Sequence, residues 1–430
     1  MNLHGLLGLG FLAWSLASCG KGGDSRASAV FYAAPADAGE KLPADGIFPK
    51  GRKLAFMGYS GDPARDLANG FSVAGPVYGD QTSYLKQCAE RKWPVAAHIG
   101  ARITFNDKAP DKYKVDEPAL RAEIARQTLA LAPQRNIIWW AVHPEELRPW
   151  RADEMRYLEI VTSEIRANDP EKRPVFLYNP NNRDAASLAP IAKHVDVLAK
   201  GSYVNSVGKK RERAWVRWGI EQEVAAIEKA GRPGAFPLLM PELCADPPAG
   251  EETEIRAWVR HDIYLGMAAG AKGVNIWSLF KRKEVKKTWQ LWYDAYTECA
   301  RELNGDRQLA QVFLFGEKRD DIRIETRKSP AKTGIELGGD AEPETSSPEE
   351  SAKRRVDFAT WTKAEFAYGK SRYVFLIHSG NEPATFTLSG WPAGSRAENA
   401  FTGGSVPLAE APLTVELPAY GVAAWRFSDR

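Results

Sequence analysis

Apolar residues along this chain fall into short unbroken runs separated by longer stretches of helical spacing. The runs lie at 54–59, 71–78, 93–98, 136–145, 175–179, 195–203, 236–242 and 274–280. Runs of this length without polar alternation predict strands buried on both faces of a parallel sheet. Between them, Leu120, Ile124 and Thr128 recur every fourth residue, as do Ile255, Val259 and Ile263, while Leu158, Val161, Thr162 and Ile165 form one stripe. The pattern over 215–230 stops at Gly231 with Pro233 just beyond, which marks a helix C-terminus. Eight strands alternating with helices over about 250 residues predict an α/β fold, a (β/α)8 TIM barrel, here spanning 46–306. A doubly wound open sheet is the competing arrangement, and the lack of a glycine-rich phosphate loop after the first run counts against it.

After Asp306 the rhythm changes. Short apolar runs at 312–315, 321–325, 373–377, 385–388, 413–417 and 422–427 alternate with Gly, Pro and Asn turn signals. They predict a small antiparallel β-sandwich over 307–430. The stretch 329–355 is rich in Pro, Glu, Ser, Gly and Lys and reads as a flexible loop within it.

Composition narrows the picture in three places. A length of 430 residues calls for about two domains. The formal net charge of +3 is too small to argue for a nucleic-acid partner. Cys88, Cys244 and Cys299 are widely spaced and form no CxxC or His/Cys ligand pattern, so they read as buried free thiols, and no metal or other cofactor is expected.

The N-terminus has its own signature. The apolar stretch 6–14 is too short to span a bilayer as a helix, and it runs into Leu16-Ala17-Ser18-Cys19. That tetrad resembles a bacterial lipobox. The resemblance implies a signal peptide over 1–19, a lipidated Cys19 as mature N-terminus, and attachment to a membrane of the cell envelope, periplasmic or at the cell surface. The first four residues carry no Lys or Arg, which counts against the lipobox reading, and the alternative is an ordinary secretory signal with an incidental Cys19. The small and polar residues of 20–45 read as a tether.

In a barrel of this kind the functional side chains sit at the C-terminal ends of the strands. The runs deliver Tyr59, Tyr78, His98, His143 with Glu145 and Glu146, Tyr178 with Asn179, Tyr203, Glu242 and Trp277. Two of the carboxylates follow prolines, Pro144-Glu145 on the fourth run and Pro241-Glu242 on the seventh. Two carboxylates across one cleft are the apparatus of glycoside hydrolysis, with separations of about 5 Å for retention and about 6.5–9.5 Å for inversion. Taken singly, either glutamate could instead cap a helix or pair with an arginine such as Arg148. The 14 Trp are mostly core, although a flat indole also suits stacking on a pyranose ring. The run Lys281-Arg282-Lys283 reads as a solvated loop, with an acidic sugar as the alternative partner.

With these strand-end residues in place, the barrel region resembles the glycoside hydrolase clan A superfamily. The resemblance implies a retaining glycosidase with Glu145 as acid/base and Glu242, in Leu239-Met240-Pro241-Glu242, as nucleophile. It implies a Tyr203 hydrogen-bonded to the nucleophile, a Trp277 that serves as sugar platform, and a substrate contact from His98; Tyr78, by its place at a strand end, is a further candidate for substrate contact. The chain departs from the family on the fourth run. Where Asn-Glu-Pro is usual, it has His143-Pro144-Glu145-Glu146, so either His143 or Asn179 is left to bind the sugar 2-hydroxyl, and Glu146 competes with Glu145 as the acid. The rival expectations are a non-catalytic carbohydrate-binding lipoprotein on the same scaffold and a different barrel hydrolase.

Overall fold

The computed structural model describes residues 46–101 (Pro49 aside), 115–205, 212–326 (Glu284 and Lys286 aside), 332–337, 347–391, 395–406 and 412–428. The predicted signal peptide, the tether and Cys19 lie outside the described residues. No described helix is long and apolar enough to cross a membrane.

The first part alternates strand and helix: β1 (Ala55–Gly58), α1 (Pro63–Ala68), α2 (Gln81–Glu90), β2 (Val95–Ile99), α3 (Glu117–Leu131), β3 (Ile137–Val142) and α4 (Ala152–Asn168). It continues with β4 (Val175–Asn179), α5 (Ala185–Ala192), β5 (Val197–Ser202), α6 (Trp215–Lys229), β6 (Phe236–Pro241), α7 (Ile255–Ala269), β7 (Gly273–Ile276), α8 (Trp289–Asn304) and α9 (Leu309–Phe315). The strands form one curled parallel sheet in the order β1-β7-β6-β5-β4-β3-β2. The fourth and seventh apolar runs of the sequence are therefore β3 and β6.

The run at 71–78, expected as a full strand, contributes only a bridge between Ala74 and Val95. It still closes the barrel between β1 and β2. Ser72 and Val73 donate their amides to the Phe56 carbonyl, and Ala74 exchanges bonds with Pro94 and Ala96. The Ser72 hydroxyl, not a backbone group, receives the Phe56 amide at 2.8 Å and donates to the Leu54 carbonyl at 2.6 Å. Pro76 has no amide hydrogen to give, but its carbonyl still accepts the Ser60 amide at 2.8 Å.

The helical stripes predicted by spacing are the buried ones. Leu120, Ile124 and Thr128 are the buried residues of α3, and Leu158, Val161, Thr162 and Ile165 lie buried on α4. Trp139 and Trp140 point to opposite faces of β3, as a strand requires. Trp139 packs against Phe236, while the Trp140 indole donates to Asp169 at 2.9 Å beneath the helices.

The second part contains β8 (Glu317–Arg319), β9 (Arg323–Thr326), β10 (Lys332–Leu337), α10 (Pro348–Ser351), β11 (Arg354–Ala359), β12 (Trp361–Tyr368) and β13 (Ser371–His378). It ends with β14 (Ala384–Ser389), β15 (Arg396–Asn399), β16 (Ser405–Val406), β17 (Leu413–Leu417) and β18 (Val422–Ser428). A sheet in the order β16-β15-β18-β13-β12-β8 faces a second in the order β17-β14-β9, with β10-β11 as a separate hairpin. Two expectations are corrected here. The run 312–315 is helix α9, because four apolar residues do not reveal their period. Phe313 needs several partners at once and packs on Tyr264, Phe366 and Phe375. The stretch 329–355, read as a loop, includes β10 paired with β11. Ile335 and Leu337 are the reason: both are almost fully buried in a stretch that is otherwise polar.

Candidate active site

Side-chain parity along β5 sets the geometry of the mouth. Lys200 lies on the helix side, with its Nζ over the rings of Trp215 and Trp218. Gly201 and Tyr203 therefore face the barrel interior. Gly201 is small for a reason: a Cβ there would lie 2.9 Å from the Tyr203 ring. Behind β3, the loop is fixed by another close approach, because a Cβ on Gly100 would sit 1.7 Å from the His143 carbonyl oxygen. Tyr157 donates to that carbonyl at 2.5 Å and accepts the Ala101 amide at 3.0 Å. Beyond it the Arg183 guanidinium, fully buried, donates to the Glu146 and Leu147 carbonyls. The His143–Pro144 and Trp277–Ser278 peptides are cis.

Glu145 is held by two phenols. Tyr59 donates to Oε1 at 2.5 Å and Tyr78 to Oε2 at 3.0 Å. The two rings stack with centroids 5.2 Å apart. Burial, followed by the neighbouring Glu145 charge, pushes Tyr59 well above the ordinary phenol range, so it remains a protonated donor. His98 completes this side. Its Nδ1 is 3.1 Å from the Val77 carbonyl, an acceptor only, so Nδ1 carries the proton, and Nε2 is left 3.9 Å from Glu145 Oε1.

Glu242 is in a different setting. It is 3% exposed, and its Oε1 accepts the amides of Val204 at 3.0 Å and Asn205 at 2.6 Å. Tyr296 donates to its backbone carbonyl at 2.7 Å, and the Cys244 thiol lies 3.9 Å from Oε2. Tyr203 is the residue just before those two amides, but its hydroxyl is not a Glu242 donor among the described residues. It lies instead beside Tyr178, ring centroids 6.4 Å apart, and stacks on Trp277 at 5.3 Å.

The remaining predicted residues separate into two groups. Tyr78, 42% exposed, and His143 are open to the mouth. Asn179 is not: it is fully buried, and its amide donates to the Leu177 and Ala199 carbonyls within the sheet. Glu146 is exposed at φ +60° and its amide donates to the Tyr178 carbonyl, which turns the chain away from Glu145. Arg148 forms a buried ion pair with Glu154. The Trp277 ring has Arg282 over it at 3.9 Å in addition to Tyr203, so protein groups take the place a stacked sugar would use. Tyr59 and Arg282 are the groups that no motif marked. Tyr59 was visible only as the end of the first run, and Arg282 only as the middle of a basic run. Among the described residues, no group of three His, Cys, Asp or Glu side chains could hold a metal ion.

No protein-family model and no curated protein sequence matches the chain. Its fold does match solved structures. An alpha-amylase from Anoxybacillus superposes with a TM-score of 0.53 at 9% identity, over 88% of this chain and 98% of that one. A GH27 β-L-arabinopyranosidase from Geobacillus stearothermophilus gives 0.49 at 9% identity over 88% and 96%, and an alpha-amylase from Geobacillus thermoleovorans 0.49 at 9% over 88% and 99%. The chain shares with the Anoxybacillus enzyme a fold that extends over nearly the whole of both molecules, and at this identity the likeness is one of fold.

Proposed function

We propose that the chain is a retaining glycoside hydrolase acting on a poly- or oligosaccharide. The observation that carries the reading is a pair of carboxylates ending β3 and β6, Glu145 held by two phenols and Glu242 by two amides, at one aromatic-lined end of the barrel. Glu242 attacks the anomeric carbon, and Glu145 gives its proton to the departing oxygen. Water then releases the sugar, with Glu145 taking the proton back. The fixed amides keep Glu242 Oε1 in place while its charge is consumed, and Tyr59 and Tyr78 orient Glu145 through both protonation states. His98, His143 and Tyr78 supply polar contacts to the sugar.

The test is a glycoside panel with wild type, Glu145→Gln and Glu242→Gln, each with and without azide. Azide should restore turnover in the Glu145 variant with the substrate's anomeric configuration, and in the Glu242 variant with the opposite one. Unchanged turnover in Glu242→Gln sinks the assignment. One observation favours a second reading, a sugar-binding protein without turnover: Glu242 is almost fully buried and Oε1 already accepts two hydrogen bonds. Saturable oligosaccharide binding with no hydrolysis of any panel member would establish it.

The envelope assignment rests on Leu16-Ala17-Ser18-Cys19 alone. The chain is expected to label with palmitate in a bacterial host and to sediment with membranes, and Cys19→Ser to abolish both. An unlabelled wild-type chain overturns the anchor.

A further inference from the structure

Arg282, a cation at the mouth, has no role in the mechanism above. It follows β7, with its guanidinium carbon 3.9 Å over the Trp277 ring and 4.4 Å from that of Phe280. Its Nε and Nη2 donate to the Ser278 hydroxyl oxygen at 3.2 and 3.0 Å. A guanidinium has five N–H donors. The Nη1–Nη2 edge of the fork, which matches a carboxylate in a bidentate pair, keeps both Nη1 hydrogens and one on Nη2.

The fixed position of Arg282 is not accompanied by a counter-charge. Arg148 is neutralised by Glu154 and Arg213 by Asp262, both in buried pairs. Among the described residues, Arg282 has no carboxylate partner, although it is half-buried and fixed by two rings and a hydroxyl. It also lies within electrostatic reach of Tyr78, the phenol bonded to Glu145. Lys281 and Lys283 on the same turn are exposed and add to the local positive potential. A sugar entering over Trp277 thus meets a cation, not a bare indole face.

We infer that the substrate carries an anionic group on a sugar ring next to the scissile bond, and that Arg282 binds that group end-on through Nη1 and Nη2. The planar fork favours a carboxylate, so uronic-acid-containing oligosaccharides are the class named. A sulfate ester presents similar acceptor oxygens and is the second source to be distinguished. The inference rests on the glycoside reading of the mouth but does not need turnover.

Calorimetric titration of the full chain, wild type, Arg282→Ala and Arg282→Lys, would test it. The ligands are oligosaccharides containing glucuronate or galacturonate, their neutral counterparts, and sulfated analogues. Wild type should bind the uronate ligands about tenfold or more tightly than the neutral ones, the size of one charge-assisted pair. Arg282→Ala should erase that preference, and Arg282→Lys should recover only part of it. Tighter binding of the sulfated set assigns the group as sulfate and overturns the uronate class. Equal affinity for charged and neutral sugars, or a preference that survives Arg282→Ala, overturns the inference outright. Uronate binding without hydrolysis would support the inference while defeating the hydrolase.

Discussion

Tyr59, at the end of β1, donates to Glu145, beyond the end of β3, across a 2.5 Å hydrogen bond. Tyr59 is fully buried and is stacked on Tyr78, so its hydroxyl has little freedom to move away. Replacing it with Phe keeps the ring and removes one bond to the carboxylate. Such a bond is worth about 1.5–3 kcal/mol, so kcat/KM in Tyr59→Phe should fall roughly tenfold to a hundredfold. The melting midpoint should fall by no more than about a few degrees. Unchanged kcat/KM at unchanged stability would remove Tyr59 from the machinery.

Glu145 and Glu146 should separate cleanly. Both follow Pro144, but only Glu145 is held by Tyr59 and Tyr78, while Glu146 is exposed and its amide is tied to the Tyr178 carbonyl. Loss of a general acid/base costs about 10²–10⁴ in rate, and Glu145→Gln is expected in that range with poor leaving groups. Aryl glycosides with good leaving groups should show a smaller loss in the first step. Glu146→Gln should stay within about twofold, as a surface change does. The reverse ranking, measured as kcat/KM, would move the acid role to Glu146.

Glu242 has a structural duty alongside its proposed chemical one, and two substitutions divide them. Glu242→Gln keeps an acceptor oxygen for the Val204 and Asn205 amides, whereas Glu242→Ala leaves both amides without it. An unsatisfied buried amide costs about 1–3 kcal/mol, so the Ala variant should be clearly less stable in denaturant titrations and the Gln variant close to wild type. Hydrolysis should be lost in both. Activity that follows stability across the pair, retained in Gln and lost in Ala, would make Glu242 a loop anchor only.

The barrel was legible because its strands are unbroken apolar runs and its helices carry apolar residues every third or fourth position, a pattern that few folds share. Leu120, Ile124 and Thr128 are an example: the spacing alone identified the buried face of α3. Strand ends were legible too, so Glu145, His98, Tyr78 and Tyr203 could be placed at the mouth by counting. What spacing cannot convey is direction and partners. Asn179 and Tyr178 are adjacent at one strand end, yet parity buries Asn179 in the sheet. The cover that Arg282 puts over Trp277 depends on a turn whose sequence looks like any solvated basic run. Four-residue apolar segments such as 312–315 are too short to show a period, and β10 was masked by the polar composition around Ile335 and Leu337.

The contact between barrel and sandwich should weaken in acid. Arg213 forms a paired fork with Asp262 at 3.0 and 2.8 Å. His261 reaches Asp262 through Nδ1 at 2.8 Å and the Ser379 hydroxyl, beyond the end of β13, through Nε2 at 2.9 Å. Burial lowers the pKa of His261, with Arg213 and His378 adding to the effect against the pull of Asp262. For Asp262, burial works upward, but Arg213 and His261 outweigh it and hold the carboxyl below its usual range. The unfolded chain therefore takes up a proton on His261 as pH falls below about 6.5, while the folded chain resists it, so stability declines from there downward. The Asp262 contribution is complete above about 3.9 and is lost only as pH falls through its lower folded value. One such histidine can change stability by at most about 1.4 kcal/mol per pH unit. His261→Gln has nothing to protonate, so its thermal midpoint should vary less than that of wild type between pH 7 and about pH 5. Parallel profiles for the two proteins over that range would show that His261 titrates no differently in the folded and unfolded chains.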